Sequence, residues 1–470
     1  MKRYVAMLLL LASAIPTAAA AADSNDPQPI KIVLHPAGEP RPALTYQLLP
    51  PLLDRRPGNA AVQYLKVPHE QTRLFSDQAF WDTIDKWTEM PIAELRKEAA
   101  REKKYPWLTG EWSIIEMLDR GARSETCDWD IPIREHEFYT ILLPEVQASR
   151  SSGRILAVRA RLQIAAGKYA DAVHTLQTGF ALARHVAQAP TLINGLVGVA
   201  IAGMMAKQVE TLIEQPDAPN LYWALASLPR PLIDFRLGYE GEFAEIYLSY
   251  PELRDLNVKD YPPEQWRRLL QKTIASLAKM FGNGESSRLF LGGVPSMLEG
   301  YPRAKRFLSD QGHTAAEVEA MPVPKVILLY TMQTYEELRD ETFKWLTLPY
   351  PEARAGMAQA ERKLKESVAD GREIIPIAGM LLPAVLACKE AETRMNRDLA
   401  ALEVLEAIRL YAADHDGKLP DNLKDITEVP VPFDPFRGEP FIYIRTGDSA
   451  RLESPFLRQL PLNYEIGLSR

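Results

Sequence analysis

The chain has 470 residues, 46% of them apolar and 25% charged, which is the composition of a globular protein and excludes low complexity or global disorder. Its 55 Lys and Arg against 62 Asp and Glu give a formal charge of −7, so a general electrostatic grip on nucleic acid or anionic lipid is not expected. That length is enough for two or three domains with real cores.

Lys2 and Arg3 begin a short basic region, an apolar run follows centred on Leu8 to Leu11, and Ala18 to Ala22 supply small residues before Asp23. This is the pattern of a secretory signal peptide over 1–22. The apolar run is short for a bilayer span, so cleavage is expected, with no stable membrane span afterwards and a periplasmic or extracellular destination. An oxidising destination gives the only two cysteines, Cys127 and Cys388, two readings. They are a disulfide, worth about 5 kcal/mol in the chain-entropy account for so long a loop, or two separate buried thiols.

Residues 23–67 are crowded with proline, including Pro36, Pro40, Pro42, Pro50 and Pro51, and read as an extended lead-in. A helical domain is expected over 68–370. Phe75, Phe80, Ile84 and Trp87 fall on one stripe, and Pro91 opens a charged helix over 92–104. Between Gly153 and Val186, the residues Leu156, Ala160, Gly167, Tyr169, Ala172 and Leu176 stand in the frame of a helix pair closed by a glycine turn. Residues 186–206 carry no charge, but Pro190, Thr191, Asn194 and several glycines favour a buried central helix over a membrane span. Further helices are read over 232–248, 263–280 and 324–346. Breaks at 282–287 and 292–295 mark loops or a domain joint.

Residues 371–470 form the last unit. The run 374–387 is broken by Pro376 and Pro383 and leads into a long helix over 389–413, stopped at Asp416-Gly417. Alternation at 441–445, a turn at Gly447-Asp448 and a second short strand make a hairpin. The fold class expected is therefore mainly α: irregular stacked helical hairpins with a small C-terminal helix and β-hairpin module.

Three resemblances rest on these residues. The 153–186 segment is similar to one tetratricopeptide helix pair, although Arg159, Gln163, Gly179 and Arg184 stand where that motif has leucine, tyrosine, alanine and proline. The segment LEVLEAIRLYAADHDGKLP at 402–420 with VPFDPFRGEPFIY at 431–443 resembles the globular part of a pilin or pseudopilin. There a helix leads to a D-P-x-x-G-x-P-x-x-Y hairpin, matched here by Asp434, Pro435, Gly438, Pro440 and Tyr443. Pilins carry their apolar helix at the N-terminus, and this segment is at the far end of the chain, so the resemblance implies a fold and not polymerisation. The boxes PALTYQLLP at 42–50, CDWD at 127–130, APTLINGL at 189–196 and LYWALASLPRPLID at 221–234 resemble an uncharacterised family of secreted planctomycete proteins. That family has no assigned activity and implies none.

The chain lacks G-x-S-x-G, H-E-x-x-H, G-x-x-x-x-G-K-[ST] and G-x-G-x-x-G. Its seven histidines, His35, His69, His136, His174, His185, His313 and His415, show no spacing that puts two on one helix face. Glu135-His136-Glu137 reads as a polar loop, Asp414-His415-Asp416-Gly417 as turn chemistry, and Asp434 is a faint calcium candidate from the pseudopilin resemblance. Trp107 with Trp112, Tyr222-Trp223, Tyr247 with Tyr250, and Tyr330 with Tyr335 read first as core. No catalytic residue, cofactor or metal is assigned. The expected function is a non-enzymatic exported interaction or scaffolding protein that offers a helical surface to another envelope or extracellular protein. The alternatives are a hydrolase of exported polymer with a dispersed acidic site, and a carrier of an apolar ligand near 191–206.

Overall fold

The computed structural model describes residues 29–99, 113–134, 141, 143–281, 293–455 and 461–469. The signal region, Trp107, Trp112, the Glu135-His136-Glu137 loop, the 282–287 break and the end of the 92–104 helix lie outside the described residues.

The chain is mainly helical, with a small strand module at its C-terminal end. Its longer helices are α1 (Ala60–Glu70), α2 (Gln78–Glu89), α3 (Ile92–Ala99), α4 (Ser113–Ala122), α5 (Pro144–Ala165), α6 (Tyr169–Ala187) and α7 (Leu192–Ile213). They are followed by α8 (Arg236–Ser249), α9 (Pro263–Phe281), α10 (Gly293–Asp310), α11 (Val323–Phe343), α12 (Tyr350–Ala369) and α13 (Ile377–Asp414).

The strongest local expectation is met by the hairpin of α5 and α6. Gly167 takes φ +73° in the turn between them, a left-handed conformation that costs glycine nothing, and Ala160, Ala172 and Leu176 are buried along the seam. The uncharged 186–206 run is not one helix. It spans the end of α6, a turn at Pro190-Thr191 and the start of α7, because Thr191 caps the new helix by accepting from Asn194 N at 3.2 Å. Helix α7 is long and apolar enough to cross a membrane, yet 83% of its most apolar window is buried in protein. Its small residues serve close packing: a Cβ at Gly195 would meet the Phe235 ring at 2.5 Å, and one at Gly198 the Ala183 carbonyl at 2.7 Å.

Two corrections fall on the lead-in and the breaks. The segment 23–67 is extended only in part, since α1 begins at Ala60, capped by Asn59 accepting from Ala61 N at 3.1 Å. The 292–295 break is instead the start of α10 from Gly293 onward. Helix α13 also outruns its expected bounds: Pro383 lies inside it, and the 374–387 run and the long helix are one element of 38 residues. It ends where Asp416 and Gly417 both take positive φ and Gly417 N donates to Ala412 O at 2.9 Å.

The C-terminal hairpin is larger than its sequence suggests. Strands β6 (Ile442–Thr446) and β7 (Ser449–Ser454) pair antiparallel, and β8 (Leu462–Leu468) joins β7. Strand β1 (Ile30–Leu34), from the lead-in, then pairs parallel with β8, in register from Ile30 opposite Tyr464 to Leu34 opposite Leu468. The sheet order is thus β1-β8-β7-β6. Two small ribbons complete the strands: β2 (Arg56–Asn59) beside β3 (Ser124–Thr126), and β4 (Phe433–Asp434) beside β5 (Glu439–Pro440).

One main core runs from Ile32 and Leu34 through α5, α6, α7 and α13 to Leu452 and Ile466, so the sheet and the helices share it. A second core gathers Trp266, Leu308, Tyr330, Tyr335, Leu364 and Leu382 around α11. A third packs Phe80, Ile84, Trp87 and Leu95 on α5. Tyr222, Tyr250, Tyr330 and Tyr335 are buried, as the core reading of those aromatics expects.

Where α13 crosses the lead-in, Arg409 is fully buried. It donates from Nε to His35 O at 2.9 Å, from Nη2 to Ala218 O at 2.8 Å, and from Nη1 to Glu406 Oε2 at 2.8 Å. Glu406 in turn accepts from Leu221 N at 3.0 Å. Removing one partner of such a pair strands the other charge in the core. Arg409→Met is therefore expected to lower stability by about 3–5 kcal/mol in urea unfolding, and the double variant Arg409→Met/Glu406→Leu to recover part of that loss.

Candidate functional site

Helices α12 and α13 are joined by a short connection and run back along each other, and the best-defined cavity lies between them, with a volume of about 600 Å³. Its α12 wall includes the set Tyr350, Arg354, Met357, Glu361, Leu364 and Val368, with Ala358, Lys365 and Ala369 beside them. Its α13 wall includes Gly379, Pro383, Leu386 and Glu390. Both sets step alternately by four and three residues, which on a helix draws one continuous seam. The α12 seam is about 27 Å long at 1.5 Å per residue. Met357, Leu364 and Leu386 are buried at its floor, while Val368 and Pro383 are exposed.

Each end of the groove has a physical cause. At one end α13 starts where the Glu373 carboxylate accepts from Ala378 N at 2.7 Å and Gly379 N at 2.9 Å. A side chain at Gly379 would strike Val368, so glycine there allows the two helices to meet. At the other end the β4–β5 ribbon stands across the groove, with Phe436 edge-on to Tyr350 at 4.9 Å between ring centroids. Asp434 shapes that ribbon: its Oδ1 accepts from Phe436 N at 2.9 Å and its Oδ2 from Ser454 Oγ at 2.7 Å. Both oxygens of the calcium candidate are thus engaged in turn chemistry.

Two polar features lie in this apolar trough. Pro383 cannot donate to the carbonyl of Gly379, four residues earlier, so that carbonyl loses its normal helical donor. Arg437 pairs with Glu439 through one guanidinium nitrogen, but its Nη1 is buried with no hydrogen-bond partner among the described residues. The charged rim is mixed, with Arg354, Lys365 and Arg437 beside Glu361 and Glu390. Lys365 pairs with Glu361 at 3.0 Å.

The titratable groups with the largest shifts lie elsewhere. Glu242 and Glu245 of α8 converge in the interior, Glu245 being only 1% exposed. Burial first, and then the Glu242 carboxylate beside it, push the Glu245 carboxyl well above the usual range. On α13, Lys389 and Glu392 form a buried pair at 2.6 Å. The cavity on the neighbouring α8 face is lined by Leu237, Glu240, Gly241, Ala244 and Tyr247, and neither Glu242 nor Glu245 reaches it. Those two acids therefore do not line that cavity, whereas Glu337, Asp340 and Glu341 of α11 and Glu366 of α12 line another.

Cys127 and Cys388 are both free thiols in separate surroundings, Cys127 half-buried beside Tyr64 and Ala61, Cys388 buried near Tyr239, Glu242 and Glu392. The disulfide alternative gives way to two separate thiols. Burial pushes Cys127 up to about 12 and raises Cys388 well above its ordinary value, so neither is a thiolate near neutrality. The described histidines stay apart. His174 Nε2 meets Asp119 Oδ1 at 2.9 Å, and His185 Nδ1 meets the Tyr64 hydroxyl at 2.9 Å, with burial and the nearby arginines Arg184 and Arg55 lowering His185 to about 4. Among the described residues no group of three or more His, Cys, Asp or Glu is arranged to hold a metal ion.

Comparison with family models, curated proteins and solved structures found no match.

Two carboxyls raised by burial give pH checks with the same sign. Burial and the adjacent Glu210 raise Glu214 to about 6. A carboxyl raised on folding contributes stability that is fully present below its unfolded value and is lost as pH rises through the folded one. Stability should therefore fall between about pH 4.5 and pH 6, and Glu214→Gln should flatten that interval. Glu245→Gln should remove a loss that begins in the same place and continues to higher pH, read in each case from urea midpoints across pH.

Proposed function

We propose that this chain is a non-enzymatic exported interaction protein that holds an amphipathic helix of a partner protein in the groove between α12 and α13. The observation that carries the reading is the pair of four-three seams facing one trough about 27 Å long, which is the cross-section of a three-helix bundle with its third helix missing. Two helices already packed supply the walls, so an incoming helix would pay little for ordering the site.

The chemistry of the trough sets what the occupant carries. Apolar side chains at its own first and fourth heptad positions would cover Met357, Leu364 and Leu386. Arg437 Nη1, buried and without a partner among the described residues, calls for an acceptor near the Phe436 end, and a glutamate or aspartate of the partner supplies one. The mixed rim of Arg354, Lys365, Glu361 and Glu390 favours a helix with both signs of charge on its flanks.

The test is a titration of the protein against a fluorescent 21-residue peptide with leucine at the seam positions, mixed charged flanks and one terminal glutamate. Saturable binding is expected, weakened at least about tenfold by Ala358→Arg, which fills the trough, and by Val368→Asp, which charges its exposed end. Loss of the peptide's glutamate should weaken wild type but not Arg437→Met. Absence of saturable binding, or binding that the groove variants leave unchanged, would overturn the reading.

A further inference from the structure

We propose that the turn at Leu52 and Leu53 docks this protein on an anionic lipid surface, with the two leucines entering the acyl boundary and the arginines behind them meeting the headgroups. This rests on a different face from the α12–α13 groove and does not depend on what fills it.

Leu53 is 96% exposed and Leu52 73%, the two adjacent in sequence at the apex of a single turn of 3-10 helix, Leu52–Asp54. The turn is held in place from behind. Asp54 N donates to Pro51 O at 3.0 Å, Arg55 N to Leu52 O at 3.1 Å, and Arg55 Nε to Pro50 O at 3.2 Å. Pro50 and Pro51 carry no backbone N–H. The apex therefore presents two large apolar side chains on a turn whose next two amides, Asp54 N and Arg55 N, are already committed.

The charge behind the apex selects the surface. Arg55 and Arg56 follow directly and are exposed. Arg184 of α6 lies close enough to Arg55 for the two guanidinium groups to repel, and burial together with that repulsion lowers Arg184 below its ordinary value. The acid nearest Arg184, Asp234, is taken up by Arg236 at 2.8 Å. Within the turn itself Asp54 is the single acid, outnumbered by the arginines. Arg55 and Arg56, both exposed, with Arg184 close to Arg55, make this spot locally basic on a chain of net negative charge and favour anions there.

The shape separates lipid from protein as the occupant. A convex tip of two residues has no seam for a partner helix and no strand edge for a partner strand, and it would need a matching socket in a protein. A bilayer interface accepts a small apolar protrusion without one, and basic residues beside it add to the binding.

The experiment uses the full chain and vesicles of phosphatidylcholine with and without 30% phosphatidylglycerol, read by co-sedimentation. Wild type is expected to bind the anionic vesicles at least about tenfold more tightly than Leu52→Ser/Leu53→Ser, and Arg56→Glu to weaken binding on anionic vesicles alone. A Leu53→Cys variant carrying a nitroxide should become more accessible to oxygen than to an aqueous nickel chelate once bound. A Val258→Cys control, at another exposed apolar position (83% exposed), should stay aqueous. Far-ultraviolet circular dichroism and thermal melts establish that each variant is folded. Equal binding of wild type and the leucine variant, equal binding to neutral vesicles, or a position 53 that stays aqueous on bound vesicles would each overturn the proposal, the last being the outcome of docking to protein.

Discussion

A buried guanidinium needs acceptors wherever it is placed, and in this protein Arg409 finds them on three separate stretches of chain. His35 lies in the lead-in, Ala218 and Pro219 in the connection after α7, and Glu406 one turn back on α13 itself. Ala37 N donates to the Arg409 carbonyl at 3.1 Å and Asn220 Nδ2 to the Glu406 carbonyl at 3.0 Å, so backbone and side chains are locked at one point. Desolvating both charges is costly, and only this complete set of partners offsets it. Everything downstream depends on that registration. It fixes the axial position of α13, and α13 supplies one wall of the groove, part of the main core and the lead into the sheet.

The same helix explains why the reactive-looking groups and the open surface are in different places. On the side turned inward, Cys388, Lys389 and Glu392 are enclosed with Glu242, Glu245 and Tyr239, where burial raises the Glu245 carboxyl and the Cys388 thiol well above their ordinary values. On the side turned toward α12, Gly379, Pro383, Leu386 and Glu390 line an accessible trough. Residues 388 and 390 belong to opposite faces because a helix turns 100° per residue, and that geometry divides chemistry from access.

How much of this is legible in the sequence depends on whether the signal is local. The α5–α6 pair announces itself through Gly167 and the small residues around it, and the end of α13 through Asp416-Gly417, because each is decided by backbone preference at one or two positions. Hairpin β6–β7 follows from alternation around Gly447. Helix α12 is different: its seam has Arg354 and Glu361 among six positions, which interrupts the apolar periodicity, and the groove it forms with α13 leaves no mark in either segment alone. Asn59 as the cap of α1 is hidden by the prolines around it. The pairing of β1 with β8 is the least visible of all, since Ile30 and Tyr464 meet only through the fold of everything between them.

That pairing has a consequence for how the molecule is made. Strand β8 lies inside the sheet, with β1 on one side and β7 on the other, yet it follows both of them in the chain. Until it is made, β1 has no neighbour in that sheet and β7 has only β6, so a ribosome-bound chain carries two incomplete edges. Strand β8 thus acts as a completion seal, and a chain stopped short of it is distinguishable from one that includes it by its unpaired strands.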